Sequence, residues 1–159
     1  MAKSMKPAHW LMLSALLVGV DQLSKLAIIN IYKLGEFTII TSWFNLVRVH
    51  NTGAAFSFLA DAGGWQRWAF VGLAMIAVSI LVFLMLRHAG QTWFAMAATL
   101  IIAGAIGNTI DRLTWGYVID FIDWHVSGWH WPAFNAADSY ITIGAALFVL
   151  DELRRVGRG

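Results

Sequence analysis

Long apolar stretches alternate with more polar segments along the chain, and four of them stand out, at about residues 10–29, 68–86, 93–110 and 136–153. Each has close to the ~20 residues with which an α-helix crosses a hydrocarbon core ~30 Å thick. The pattern therefore predicts an all-α integral membrane protein with four transmembrane helices. The first stretch carries Asp21 and Lys25 and has no small-residue cleavage site before them, so we expect a retained helix and not a secretory signal.

The segments between the apolar stretches predict two extramembrane elements. Residues 46–50 alternate as a strand does, and the turn-like NTG at 51–53 is followed by a second apolar strand. Because an open sheet cannot lie exposed in hydrocarbon, we expect this small β-sheet, at about 35–60, at the outer interface, where it can hold an extended peptide. Residues 114–135 are rich in Trp and predict an interfacial outer-face segment.

Composition agrees with a single membrane domain covering residues 1–159. Of the 159 residues, 59% are hydrophobic and 13% charged, which is roughly half the charged fraction of a soluble domain. The net charge of +2 is too small to indicate a nucleic-acid partner. The chain has no cysteine, which excludes disulfides, thiolate metal sites and a cysteine nucleophile.

Basic residues predict the orientation in the membrane. Four spans place both termini on one side, and the short flanks on that side contain Lys3, Lys6, Arg87, Arg154, Arg155 and Arg158. By density per residue this side is expected to be cytoplasmic, although the opposite loops also contain Lys33, Arg48, Arg67 and Arg112. Five acidic residues then gather at the outer face: Asp61, Asp111, Asp120, Asp123 and Asp138. Chemistry is expected there.

Two of these aspartates suit acid–base chemistry. Asp120 lies among apolar residues with no adjacent cation, and a carboxylate so placed is costly unless it is used. Asp138 also has a structural explanation, because Asn135-x-x-Asp138 resembles a helix capping box. A linker of about 17 residues lets the two carboxylates meet in one pocket. Two adjacent carboxylates cannot both ionise easily, so one can act as acid while the other takes a proton from water.

Asp21 and Lys25 lie one helical turn apart inside the first apolar stretch and are expected to form an ion pair. This pair has either a purely structural role or a role in positioning the site. Ser24 precedes Lys25, but adjacent helical side chains point about 100° apart, which disfavours a serine–lysine pair.

The third apolar stretch ends in further polar residues. Gly104 and Gly107 predict close helix packing. Asn108, Asp111 and Arg112 follow on one helical face. Two interpretations remain open for Asp111 with Arg112: they anchor the helix end at the interface, or they take part directly in the chemistry.

A metal site is disfavoured. The best candidate, Asp123-x-His125-x4-His130, is weaker than a metal site requires, and the chain has no HExxH motif. We therefore expect neither a metal nor another cofactor.

Five short sequences are spread from the first apolar stretch to the last: DQLSK (21–25), NTGAAFSF (51–58), GNTIDR (107–112), VIDF (118–121) and FNAADS (134–139). Together and in this order they resemble the lipoprotein signal peptidases, the type II signal peptidases of bacteria. The resemblance implies an aspartic endopeptidase of the bacterial cytoplasmic (inner) membrane that cleaves signal peptides from diacylglyceryl-modified prolipoproteins, just before the lipidated cysteine. Its partners would be these substrates and membrane lipids, and it would act as a monomer.

The resemblance also implies roles for individual residues. Its catalytic dyad falls on Asp120 and Asp138. Positions that would bind substrate or support the dyad are Asp21, Lys25, Asn51, Gly53, Gly104, Asn108, Asp111, Arg112 and Asn135. The β segment resembles the family's extramembrane cradle, and the aromatic segment resembles its outer-face helix or lid.

Two other functional classes remain alternatives. A small membrane transporter or proton-relay protein would also place charged residues in a helical bundle, but it would distribute them across the membrane depth. The second and fourth apolar stretches are almost free of such residues beyond their ends. A non-catalytic lipoprotein-binding scaffold would need no Asp120, and only activity separates it from an enzyme.

Overall fold

The computed structural model describes residues 5–53 and 63–157. Within these residues the chain forms four helices: α1 Pro7–Ile31, α2 Trp65–His88, α3 Thr92–Trp115 and α4 Ala136–Val156. It also forms four strands: β1 Phe37–Thr41, β2 Phe44–Asn51, β3 Val118–Val126 and β4 Trp129–His130. Sheet residues thus follow α1 and α3 and come before α2 and α4, so they lie at one end of the up-and-down bundle.

Three helices in the described part of the chain, α1, α2 and α3, are long and apolar enough to cross a membrane. The prediction of four spans is therefore supported for three of them. The fourth helix, α4, is less apolar because its last turns contain the charged run DELRR at 151–155. Large apolar side chains are exposed along α2, as expected of a surface that faces lipid.

The helices pack around α3, which has the most buried residues of the four described helices. At Gly144 of α4, an added Cβ would lie 2.8 Å from the Ala97 carbonyl oxygen of α3. At Gly104 of α3 it would collide with the Ala137 carbonyl oxygen of α4. The backbones therefore approach closely, which agrees with the predicted packing role of the glycines in α3.

The ends of the helices follow recognisable signals. Helix α1 begins with Pro7 at its first position, where a missing N–H costs nothing. Helix α3 ends at Gly116, whose φ of 85° allows the chain to turn back into β3. Helix α4 begins with the predicted capping box: the side chain of Asn135 accepts from the Asp138 N–H, and the Asp138 carboxylate accepts from the Asn135 N–H.

The described strands form an antiparallel sheet in the order β1-β2-β3-β4. The strand predicted at 46–50 is confirmed as part of β2, which pairs with β1 and β3. Its predicted partner after the turn at 51–53 lies outside the described residues. In the β2–β3 pairing, Val49 faces Asp120 and Asn51 faces Val118. The sheet thereby brings the turn after β2 next to Asp120.

The resemblance implied an outer-face helix or lid for the aromatic segment at 114–135. Beyond the end of α3 this segment forms β3 and β4, so the helix is wrong and the lid stays a prediction. Its Val, Ile, Phe and Trp residues suit a strand that pairs with β2. Ser127 and Gly128, with φ of 50° and 83°, form the tight turn between β3 and β4. The abundance of tryptophan therefore indicated an exposed segment and did not indicate its secondary structure.

Candidate active site

Asp120 and Asp138 come from different elements and meet at the end of the bundle that carries the sheet. Asp120 lies in β3, and Asp138 lies in the first turn of α4. The Asn135 carboxamide donates to Asp120 Oδ1 at 2.7 Å and to Asn108 Oδ1 at 3.3 Å. The Asn108 carboxamide in turn donates to Asp138 Oδ1 at 2.8 Å. A chain of two asparagine amides therefore links the two carboxylates.

The turn after β2 holds the other side of Asp120. Asn51 Nδ2 donates to Asp120 Oδ2 at 3.0 Å, and Asn51 Oδ1 accepts from the Gly53 N–H at 3.0 Å. The Arg112 guanidinium reaches this turn from α3 and donates to the Gly53 carbonyl oxygen at 2.9 Å. Asn51, Gly53 and Arg112 thus form one hydrogen-bonded unit beside Asp120.

Burial changes the acidity of Asp120, whose exposed fraction is 1%. Burial first, and then the neighbouring Asp138 carboxylate, raises the pKa of Asp120 to about 7. Hydrogen bonds from Asn51 and Asn135 and the charge of Lys25 act in the opposite direction. A carboxyl group with this pKa can hold a proton at neutral pH and release it during a reaction.

An ion cluster lies beneath the two carboxylates. Lys25, with an exposed fraction of 1%, has its ammonium nitrogen 2.9 Å from Asp21 Oδ2 and 2.9 Å from Asp111 Oδ2. The same nitrogen donates to Asn108 Oδ1 at 3.0 Å. The predicted pair of Asp21 and Lys25 is confirmed. The Ser24 hydroxyl donates to the Asp21 carbonyl oxygen and not to Lys25. This agrees with the prediction that Ser24 and Lys25 do not form a serine–lysine pair.

Asp111 lies in the last turns of α3, which ends at Trp115, and is buried against Lys25. Arg112 turns away from it toward Gly53. Both side chains thus bind neighbouring parts of the fold, and their anchoring of the helix end at the interface stays a prediction.

Both acidic members of the cluster also bind backbone. Asp21 Oδ1 accepts from the Ala137 N–H at 2.9 Å, and Asp111 Oδ2 accepts from the Ile119 N–H at 3.2 Å. Gly107 leaves room for this arrangement, since an added Cβ there would lie 2.5 Å from Asp21 Oδ2. The cluster is thus bonded to the first turn of α4 and to the start of β3.

A cavity of about 200 Å³ opens beside the site. Its lining includes Asn51, Asn108, Arg112, Val118, Trp131, Pro132, Ala133, Phe134, Asp138 and Ile141. Polar groups occupy the wall near the carboxylates, and apolar side chains from β3, from α4 and from the segment before α4 form the rest. The polar wall can bind the backbone of a peptide, and the apolar wall can bind its apolar side chains.

Comparisons with known proteins agree with this arrangement. The family model described as signal peptidase (SPase) II matches residues 13–154. The chain belongs to the signal peptidase II family. It is 55% identical over 149 residues to a lipoprotein signal peptidase of Paraburkholderia phytofirmans, covering 94% of this chain and 87% of the relative. It is 54% identical over 157 residues to one of a Janthinobacterium species, covering 99% and 94%.

Solved structures similar to this signal peptidase II family member are also membrane proteins. A bacterial membrane enzyme solved by the in meso method at 2.3 Å resolution superposes with a TM-score of 0.88 at 31% identity, covering 99% of this chain and 95% of the other. A second, solved by the same method at 1.9 Å, gives a TM-score of 0.82 at 31% identity, covering 96% and 97%. Membership in the family and these likenesses make the protein a membrane peptidase.

The structure brings most of the predicted site residues of this signal peptidase II family member into one connected network. Gly104 lies apart from the hydrogen bonds and contributes through the contact of α3 with α4. Sequence reasoning missed Gln22, whose carboxamide contacts both Asp21 and Asp111. A polar amide next to an aspartate inside an apolar helix was the signal that could have found it.

The residues of the candidate metal site, Asp123, His125 and His130, bind each other and a neighbouring strand. His130 Nδ1 lies 2.8 Å from Asp123 Oδ1, and Asn45 Nδ2 donates to Asp123 Oδ2 at 2.8 Å. The His125 ring stacks on His130 at 5.0 Å between centroids. Across residues 5–53 and 63–157, no group of three or more His, Cys, Asp or Glu is arranged to hold a metal ion. The contacts join β3 to its neighbouring strands.

Proposed function

We propose that the protein is an aspartic endopeptidase that cleaves signal peptides from diacylglyceryl-modified bacterial prolipoproteins, just before the lipidated cysteine. The observation that carries this proposal is the linked pair of carboxylates, the buried Asp120 and the half-buried Asp138, beside a cavity of about 200 Å³. Membership in the signal peptidase II family supports the substrate class, because curated relatives with more than half of their aligned residues identical are lipoprotein signal peptidases.

The proposed mechanism uses one proton shared by the dyad. The ionised carboxylate takes a proton from a water molecule, whose oxygen attacks the carbonyl carbon of the scissile amide. The protonated carboxyl gives its proton to the carbonyl oxygen, and a proton then passes to the leaving amine as the C–N bond breaks. The raised pKa of Asp120 supports a protonated member at neutral pH. The proton belongs to the coupled pair and not to one residue.

Supporting residues fall into three groups in this proposal. Asn51, Asn108 and Asn135 orient the dyad through their carboxamides. Arg112 fixes the turn that contains Gly53, which lies where peptide backbone would bind. The remaining candidates, Asp21, Lys25, Asp111 and Gly104, hold the elements that carry the dyad.

The proposal also includes the placement in the membrane. Helix α4 acts as the fourth span of a single domain over residues 1–159, both termini are cytoplasmic, and the active site lies near the outer face of the bacterial cytoplasmic (inner) membrane. The position of the sheet at one end of the bundle and the basic flanks at the other support this orientation. The acyl chains of the substrate would lie in the bilayer between helices. The protein acts as a monomer.

The alternative of a transporter or proton-relay protein has less support. Its charged groups would line a path through the membrane, whereas the cluster around Lys25 lies at the end of the bundle that carries the sheet.

The decisive experiment compares purified wild type, Asp120→Asn and Asp138→Asn with a diacylglyceryl-modified prolipoprotein in detergent. Because general acid–base catalysis contributes about 10²- to 10⁴-fold, either substitution should lower kcat by at least about 100-fold. Asp151→Asn, at the opposite end of α4, is the matched control and should cleave at the wild-type rate. Cleavage at the wild-type rate by a folded dyad variant would refute the mechanism.

A further inference from the structure

Gln22 joins the two acidic residues of the buried ion cluster. Its Nε2 lies 2.9 Å from Asp111 Oδ1, 3.1 Å from Asp21 Oδ2 and 3.1 Å from the Gly107 carbonyl oxygen. The side chain therefore crosses from α1 to α3 and contacts three oxygen atoms. None of the steps of hydrolysis uses it directly.

Gln22 contacts two of the four carboxylate oxygens of the cluster. Asp21 Oδ1 accepts from Ala137, and Asp21 Oδ2 contacts both Lys25 and Gln22. On Asp111, Oδ2 contacts Lys25 and accepts from Ile119. Among the described residues, Gln22 is the one side chain that donates to Asp111 Oδ1. Without Gln22 this oxygen would lose its donor, and the carboxylate would be held through Oδ2 alone.

Charge explains why the donor is a neutral amide. Two carboxylates and one ammonium leave one negative charge in excess inside the bundle. An amide stabilises that excess without adding a charge of its own, which a buried site would have to compensate. A glutamate at position 22 would have the same shape, but when ionised it would present only acceptors to two carboxylates.

The two carboxylates reach the proposed dyad through the main chain. Asp21 holds the N–H of Ala137, the residue before Asp138. Asp111 holds the N–H of Ile119, the residue before Asp120. The cluster therefore has two arms, Asp21 with Ala137 and Asp111 with Ile119, and each fixes the backbone next to one aspartate of the proposed dyad. A change in the distance between the two arms would change the distance between Asp120 and Asp138.

We propose that Gln22 is a positioning residue that ties these two arms together and thereby sets the separation of the Asp120 and Asp138 carboxylates. The inference rests on the proposed function and adds to it a residue that contacts neither carboxylate of the dyad. Lys25 contacts Oδ2 of both carboxylates of the cluster, and Gln22 adds the contact to Oδ1 of Asp111, which fixes the rotation of that carboxylate. A misplacement of ~1 Å can lower a rate by about 100-fold. Loss of the Gln22 contacts should therefore reduce turnover.

The test compares Gln22→Met and Gln22→Glu with the wild type. Methionine keeps the length without a donor, so kcat per folded molecule should fall about 10- to 100-fold while KM changes by less than about threefold. Gln22→Glu should be impaired more at pH 8 and should recover toward the Gln22→Met level or above it at pH 5, where a protonated glutamate can donate again. Asn30→Asp is the matched control: it makes the same amide-to-acid change on α1, at an exposed side chain that donates to the Leu26 carbonyl oxygen of the same helix.

The pH profile distinguishes positioning from a loss of stability. Charges that act on Asp120 come from Asp138 in α4, Lys25 in α1 and Arg112 in α3. If the dyad separates, Asp138 raises the pKa of Asp120 less, and the alkaline limb of the kcat profile of Gln22→Met should move to lower pH. A lower folded fraction alone would reduce the amplitude and leave the profile in place.

Each outcome decides between the two proposals. Wild-type kcat and an unmoved pH profile in Gln22→Met would overturn the role of Gln22, as would a loss explained wholly by the folded fraction measured by size exclusion. Failure of both Gln22 variants to fold would also overturn it, because the contacts would then be structural. If the wild type does not cleave, or if Asp120→Asn does, the proposed function itself fails.

Discussion

Lys25 offers a quantitative test of the buried cluster. Its ammonium group is almost completely buried and contacts two carboxylates at 2.9 Å and the Asn108 carboxamide at 3.0 Å. Lys25→Met keeps most of the side-chain volume but leaves Asp21 and Asp111 facing each other without a cation. Removal of one partner from a buried ion pair costs about 3–5 kcal/mol. This is a large part of the ~5–15 kcal/mol that stabilises a typical folded chain.

The measurement is thermal unfolding in detergent, followed by the fluorescence of the tryptophans. At about 2–4 °C per kcal/mol, Lys25→Met should unfold about 6–20 °C below the wild type. The second substitution Asp111→Asn removes one of the two opposed charges, so the double variant should recover at least ~1 kcal/mol relative to Lys25→Met. Lys33→Met, at an exposed lysine, is the control and should leave the unfolding temperature nearly unchanged.

The charge reasoning would be refuted by two results. One is a Lys25→Met protein within ~1 kcal/mol of the wild type. The other is a double variant that is no more stable than Lys25→Met, because relief of repulsion between Asp21 and Asp111 would then be absent.

Three further predictions concern the site, the packing and the orientation. Because burial raises the pKa of Asp120 from 3.8 to about 7, its ionisation opposes folding as pH rises from about 4 to 7, and the thermal stability of Asp120→Asn should fall less over that range. Gly107→Ala should destabilise by about 1–3 kcal/mol by crowding Asp21, while Gly72→Ala, with open space around it, should be nearly neutral in the same unfolding assay. Single cysteines placed at Val126 and Val156, which are 67% and 73% exposed, should react with an impermeant thiol reagent from opposite sides of the membrane. Labelling of both positions from the same side would contradict the topology.

Features with local causes were predictable from the sequence. Long apolar stretches indicated the helices, the spacing of Asp21 and Lys25 indicated an ion pair, and Asn135-x-x-Asp138 indicated the capping box. Each depends on residues within one or two helical turns, so one sequence is enough to find it. The motifs also indicated the family, which the comparisons confirm.

Features that depend on distant partners were missed. Strand β3 forms where β2 offers an edge to pair with, and its aromatic residues read equally well as an interfacial surface. The contact of Asp111 with Lys25 requires α1 and α3 to pack side by side, so the sequence left its role open. Gln22 contributes through residues that are 85 and 89 positions away. No local pattern reports such contacts.

Asn135 binds the first turn of helix α4 and Asp120 of the proposed dyad with opposite ends of one carboxamide. Its oxygen accepts from the Asp138 N–H, while its nitrogen donates to Asp120. We therefore expect fraying of the first turn of α4 to separate the two carboxylates of the proposed dyad in the same local event. On heating, activity should be lost reversibly while circular dichroism still reports most of the helical content. The thermal limit of the enzyme is then set by one helix terminus, and substitutions that strengthen the bundle elsewhere would raise its melting temperature without extending its working range.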